Sequence, residues 1–265
     1  MSLLSVRGLS LHFGGLAAVS DLSFEVDQGE IVSIIGPNGA GKTTAFNLIT
    51  GMYRPDGGQV LLEGRNVAGF APNKITAAGI ARTFQNIRVF PQMTVLDNVL
   101  VGAHCRQTTG LIGAVFRPPS VQRQERAVRQ RAIELLGFFG ERLVPRRDDM
   151  AISLSYANRR RTEIARALAT EPKLVLLDEP AAGMNPSETR EIAAQIARIR
   201  DRGFTLLLIE HDMHVVMTIS DRVIVMDHGA KIAEGLPAEI ARDPRVVEAY
   251  LGRRAAEIER IRHAG

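Results

Sequence analysis

The sequence predicts an α/β fold: a parallel sheet with helices on both faces, an antiparallel β layer formed early in the chain, and an inserted α-helical subdomain. Three observations carry this expectation. A glycine-rich loop stands between a buried strand and a helix, apolar runs of four or five residues alternate with helical patterns, and between Asn86 and Thr170 strand-like runs give way to helix signals.

Taken in order, Leu3 to Val26 is a series of short apolar runs broken by Gly8, Gly14 and Gly15, and Gln59 to Leu62 is a further strand bounded by Gly57, Gly58 and Gly64. Both belong to the antiparallel layer. Between them, Ile31, Val32, Ser33, Ile34 and Ile35 read as a buried strand, and Ala45 to Thr50 continues as a helix. Buried strands are also expected at Lys173 to Leu177, Thr205 to Ile209 and Arg222 to Met226, separated by helices at Ser187 to Asp201 and Asp212 to Ile219. In the helical block, Thr94 and Asp97 make a capping box ahead of Val95 to Ala103. Pro118, Pro119 and Ser120 announce a second helix with Val128, Ala132, Leu135, Leu136 and Phe139 on one stripe. The apolar loop Gly110 to Phe116 between those helices is read as locally packed, with a partner-contact surface as the alternative. Residues 1–265 are thus expected to form one domain, with 1–85 and 171–265 as core and β layer and 86–170 as the helical subdomain.

A length of 265 residues and a 45% hydrophobic composition are ample for a buried core. No stretch approaches the roughly 20 apolar residues that span a bilayer, and no charged-then-apolar leader is present, so a cytoplasmic protein is expected. One cysteine, Cys105, excludes an internal disulfide and any multi-cysteine metal site. The net charge of +4 arises from 33 basic and 29 acidic residues, with arginines gathered over 117–131, 142–166 and 253–262. These read as solvated helix faces rather than nucleic-acid or acidic-lipid contacts. Aromatic residues are 5% of the chain and tryptophan is absent, which leaves little material for base stacking.

The loop Gly36-Pro37-Asn38-Gly39-Ala40-Gly41-Lys42-Thr43-Thr44 meets the requirements of a phosphate cradle. Its glycines let backbone amides approach an anion closely, and the following helix points its partly positive end at the same place. Lys42 can reach the outer phosphates, and the Thr43 hydroxyl can ligate Mg2+. The chain is therefore expected to bind a nucleoside triphosphate. The apolar strand Leu174-Val175-Leu176-Leu177 ends in Asp178 and Glu179, which places one acid to hold Mg2+ through water and the other to orient and deprotonate an attacking water. Phe204 to Ile209 ends in Glu210-His211-Asp212, so His211 reaches the same sheet edge, where it can contact the terminal phosphate. Gln85, after the strand-like Ile80 to Phe84, can offer a neutral oxygen to the metal or the water. Ser155 opens a helix that runs through Ile164, Ala165 and Leu168, another end that attracts anions.

Together these elements resemble the nucleotide-binding subunit of an ABC transporter, in the right order over nearly the whole chain. The resemblance implies a P-loop NTPase (RecA-like) core, ATP and Mg2+ as cofactors, the metal-sensing glutamine at Gln85, a signature segment at Leu154 to Asn158, the strand-end acids at Asp178 and Glu179, a loop at Ala181 to Asn185 and a switch histidine at His211. It implies that Phe13 stacks on adenine, although a strand phenylalanine is more often core. It also implies a second ATPase subunit whose signature segment, here Ser155 and Ala157, closes on the facing ATP. Two transmembrane permease subunits, an indirect substrate-binding protein and a peripheral position on the cytoplasmic face of the inner membrane follow. The strings RTFQNIRVFPQMTVLDNVLVGAH, LDEPAAGMNP, LLIEHDM and AEIARDPRVVEAYLG are similar to the branch that imports branched-chain amino acids.

Two positions depart from the family pattern. A glycine of the signature is Ala157 here, and a glutamine of near relatives is Arg159. The added methyl threatens to crowd a facing phosphate, and the arginine adds charge at the same interface. The leading expectation is an ATPase that energises import of branched-chain or related amino acids. The alternatives are the ATPase of another ABC system, such as lipopolysaccharide export, and a catalytically weakened partner in an asymmetric pair. A DNA-repair or translation factor of the same fold would need a long coiled-coil insertion or tandem domains, which are absent.

Overall fold

The structure, a computed structural model, describes residues 2–106 and 118–250. Ser2–Phe13 (β1) and Leu16–Asp27 (β2) pair antiparallel around a turn at Gly14. Ile31–Ile35 (β3) follows and leads through the glycine loop into Lys42–Ile49 (α1). Gly57–Leu62 (β4) and Arg65–Asn66 (β5) complete a four-stranded sheet ordered β2-β1-β4-β5. Then come Pro72–Ala78 (α2), Ile80–Arg82 (β6), Val95–Ala103 (α3), Pro119–Leu136 (α4) and Tyr156–Leu168 (α5). The chain returns through Leu174–Asp178 (β7), Pro186–Asp201 (α6), Thr205–Ile209 (β8), Met213–Ile219 (α7), Arg222–Asp227 (β9), Ala230–Gly235 (β10) and Pro237–Ile240 (α8). The second sheet is ordered β10-β9-β3-β8-β7-β6, with β9, β3, β8, β7 and β6 parallel and β10 antiparallel at the edge. This is the α/β class the sequence implies.

Alternation along the central strands divides the core. Leu174 and Leu176 of β7, Leu207 and Ile209 of β8, and Val32 and Ile34 of β3 face a layer that contains α1 and the antiparallel sheet. Val175 and Leu177 with Leu206 and Leu208 face the opposite layer, built by α3, α4, α5 and α6. Both faces are covered, which is why these strands read as unbroken apolar runs rather than as alternating ones. Each such side chain contributes about 1.5–3 kcal/mol when removed from water.

The elements match the sequence expectation with instructive differences. The strand-like run Ile80 to Phe84 pairs as a strand only through Arg82. The Thr83 amide still donates to the Leu176 carbonyl at 2.9 Å, and beyond it the chain leaves the ladder and carries Gln85 to the end of the sheet. The Thr94 hydroxyl accepts the Asp97 amide at 3.0 Å, but the Asp97 carboxylate takes the Thr94 hydroxyl at 2.7 Å, so only one half of the capping box forms. Phe139 is buried with Ala132, Leu135 and Leu136 although it lies past the end of α4, in a 3-10 turn over Gly137–Arg142. The antiparallel edge strand β10 is an element the sequence pattern did not signal. The apolar loop Gly110 to Phe116 and the arginine-rich segment 253–262 lie outside the described residues. Among the described residues, no helix is long and apolar enough to cross a membrane.

Candidate nucleotide site

The register of three parallel strands decides what meets at the sheet edge. Ile34 of β3 stands beside Ile209 of β8, and Ile209 stands beside Asp178 of β7. The next residues of each chain therefore leave the sheet side by side: the glycine loop from β3, Glu179 from β7, and Glu210 and His211 from β8. A cavity of about 460 Å³ opens there, lined by Phe13, Asn38 to Thr44, Gln85, Glu179, His211 and His228, with Leu16, Ala17 and Ala18 on one wall.

Two glycines seat the loop. Gly36 has φ +148, and a Cβ there would come 2.0 Å from the Met226 carbonyl oxygen. Gly41, at φ +93, would place one 2.3 Å from the Ala18 carbonyl oxygen. No L side chain fits either position, so the loop lies directly on the β2 and β9 backbones. Gly41 is the N-cap of α1, no side chain caps that helix, and its first turn has no acidic residue, so its amide-rich end is left for an outside anion. The buried Lys42 ammonium donates to the Gly36 carbonyl at 2.6 Å and to the Pro37 carbonyl at 3.0 Å. Gly36 and Pro37 are buried beneath the loop, whereas Thr43 is exposed on the cavity wall.

Glu179 is held out of the ordinary backbone regions, at φ +48, and donates its amide to the Ile209 carbonyl at 2.9 Å. Its carboxylate is engaged at both ends: His211 Nε2 lies 2.6 Å from Oε1, and Gln85 Nε2 donates to Oε2 at 3.3 Å. Three of the residues singled out from sequence are thus brought into contact. Phe13 is exposed rather than core, stands at the cavity rim and meets the Tyr53 ring edge-on at 5.5 Å.

Other expected residues lie elsewhere. Asp178 is 1% exposed and does not line the cavity; it sits one layer beneath, with its Oδ2 paired to Arg82 at 2.8 Å. Its Oδ1 is buried with no hydrogen-bond donor. Ser155 caps α5 by accepting the Asn158 amide at 3.3 Å, and neither it nor Ala157 reaches the cavity. Ala157 is 3% exposed, so its methyl is turned into the chain instead of standing out from its surface. Arg159 folds back, donating to the Leu154 and Ile152 carbonyls at 3.0 and 2.9 Å, and so braces the segment ahead of α5.

Four residues escaped the sequence reading because their partners are distant in the chain. Arg82 binds Asp178, Asn47 Oδ1 at 2.6 Å and Thr50 Oγ1 at 3.2 Å. Arg160, fully buried, donates to the Phe84 and Gln85 carbonyls and to Glu163 Oε2 at 2.8 Å. Glu163 also accepts the Arg88 amide at 3.0 Å, and burial pushes its carboxyl above the usual range. Glu210 is the fourth.

The profile described as "ABC transporter" matches residues 19–182, and that described as "Branched-chain amino acid ATP-binding cassette transporter" matches 230–256. The high-affinity branched-chain amino acid transport ATP-binding protein LivG of Salmonella typhimurium is 46% identical over 251 residues, 94% of this chain and 98% of the relative. BraF of Pseudomonas aeruginosa, similarly described, is 44% identical over the same share of each chain. Among solved structures, the ADP conformation of MJ1267, an ATP-binding cassette of an ABC transporter, superposes with a TM-score of 0.82 at 34% identity, covering 95% of this chain and 99% of that one.

The Arg82–Asp178 pair yields a prediction. Arg82→Ala leaves a buried carboxylate without its cation and is expected to cost about 3–5 kcal/mol in urea unfolding, with Arg82→Lys losing less. A loss in Arg82→Ala below about 1 kcal/mol, the level of an exposed pair, would contradict the arrangement.

Proposed function

This chain belongs to the ABC transporter family, and we propose that it is the ATP-hydrolysing subunit that energises import of branched-chain or related amino acids. The observation that carries the reading is the meeting of Glu179 with Gln85 and His211 over the loop that holds Lys42. The amides of the loop and of the α1 end cradle the phosphates, with Phe13 at the rim for the base. Lys42 exchanges its two loop carbonyls for phosphate oxygens, and Thr43 and Thr44 offer hydroxyls.

Mg2+ fits these residues. The unsatisfied Asp178 Oδ1 and the Thr43 hydroxyl are oxygen donors of the kind a hard cation takes. When bound, the ion neutralises charge on the phosphates. Glu179 acts as the base that accepts a proton from the attacking water. His211 and Gln85 each occupy one acceptor site of the Glu179 carboxylate and leave others for the attacking water.

Ser155 and Ala157 stand away from this chain's cavity, which supports a composite site in which they face the nucleotide of a second ATPase subunit. The inward methyl of Ala157 supports a working signature rather than a weakened one. A groove of about 560 Å³ between Phe84, Arg88, Phe90, Val101 and Arg166 adjoins the Gln85 segment and is the proposed seat for the permease pair at the inner membrane face. The 230–256 match and the names of the relatives favour amino-acid import over lipopolysaccharide export. The whole chain then works as one nucleotide-binding domain.

Steady-state Mg-ATP turnover tests this, with nucleotide-dependent dimerisation followed by light scattering. Glu179→Gln is expected to lose about 10²-fold or more in kcat while still binding ATP and dimerising, and Ala157→Gly to turn over within about twofold of the unchanged chain. Undiminished turnover in Glu179→Gln would remove Glu179 as the base. Activity only in Ala157→Gly would make this subunit the weakened member of an asymmetric pair.

A further inference from the structure

Glu210 is 3% exposed, and its carboxylate bridges the two loops that carry Glu179 and His211. One oxygen, Oε1, accepts the Ala181 amide at 2.9 Å, two residues past Glu179. The other, Oε2, accepts the His211 amide at 3.0 Å and, more weakly, the Asp212 amide at 3.4 Å. No lysine or arginine pairs with it among the described residues. Burial pushes this carboxyl above the usual range, while the three backbone donors pull it back. A buried acid held only by backbone amides is costly where an apolar or amide side chain would serve packing alone.

We propose that Glu210 is a positioning residue for hydrolysis: its two oxygens fix the spacing between the Ala181 and His211 backbones, and so hold His211 Nε2 on Glu179. The geometry supports this directly. Parallel pairing ends at Asp178 and Ile209, so beyond that point no ladder hydrogen bond joins the two departing loops except the one from the Glu179 amide to the Ile209 carbonyl. The Glu210 carboxylate continues the connection for one further step on each side. The 2.6 Å contact of His211 with Glu179 lies just outside it. Glutamine has nearly the same shape but only one acceptor oxygen, so its amide nitrogen must face a backbone N–H donor and one loop is released.

The proposal rests on the reading of Glu179 and His211 as the hydrolytic pair, and a double-mutant cycle in the full chain separates the two. Glu210→Gln is expected to lower kcat by about tenfold or more with KM for Mg-ATP within about twofold, since displacement by about 1 Å costs rate rather than binding. In the His211→Ala background, followed by single-turnover assay, the same change should cost less than about threefold, because no pairing is left to position. If Glu210→Gln does not fold, as judged by thermal melting, Glu210→Asp, which keeps the charge on a shorter stem, carries the same cycle. Equal losses in both backgrounds, or no loss in either, overturn the positioning role and leave Glu210 as a structural acid. Should His211→Ala turn over like the unchanged chain, the hydrolytic reading of the pair has failed first, and the proposal falls with it.

Discussion

The parallel register that lines up Ile34, Ile209 and Asp178 across three adjacent strands is the constraint on which the site depends. A shift of one residue in any of the strands would send its apolar set to the wrong core and its terminal residue to the wrong face. Register is enforced from both sides, because each strand contributes alternate side chains to two separate hydrophobic layers. Chemistry at the edge is therefore positioned by burial in the middle. The same arrangement explains how Glu179 can be kept at a positive φ: its amide is tied to Ile209, and the loop after it to Glu210.

A second set of contacts joins this edge to the helical block. Arg160 and Glu163, one turn apart on α5 and both buried, grip the backbone from Phe84 to Arg88 from two directions. An isolated buried ion pair adds little net stability, but this one gains backbone carbonyls and an amide in addition to its own partner, with only the Arg160 Nε left unpaired in it. The helix that Ser155 caps and the segment that carries Gln85 are therefore joined by buried hydrogen bonds at Phe84, Gln85 and Arg88.

Much of this was legible in the sequence because the signals were local. The glycine loop and the Asp178-Glu179 strand end each depend on a few consecutive residues, and the apolar patterns located most of the helices and strands, though not α2, β5, β10 or α8. What escaped depends on partners far apart. The Arg82 and Asp178 contact joins strands 96 positions apart, and Arg160 meets Phe84 across 76. Glu210 looked like a flank of His211 because nothing local shows that Ala181 lies opposite. The two departures from the family pattern are likewise placed by contacts the sequence does not show: Arg159, half-buried, is engaged with the backbone ahead of its own helix, and the Ala157 methyl faces inward.

The central claim is that a nucleotide occupies the edge created by this register, with its terminal phosphate under Gln85 and His211. The most direct measurement is a crystal structure of the Glu179→Gln chain with Mg-ATP. The account predicts the triphosphate along the Gly39 to Thr44 amides, Lys42 withdrawn from the Gly36 and Pro37 carbonyls, and the terminal phosphate within hydrogen-bond reach of Gln85 or His211. A triphosphate bound away from that loop, or one that leaves Lys42 on its own carbonyls, would contradict it.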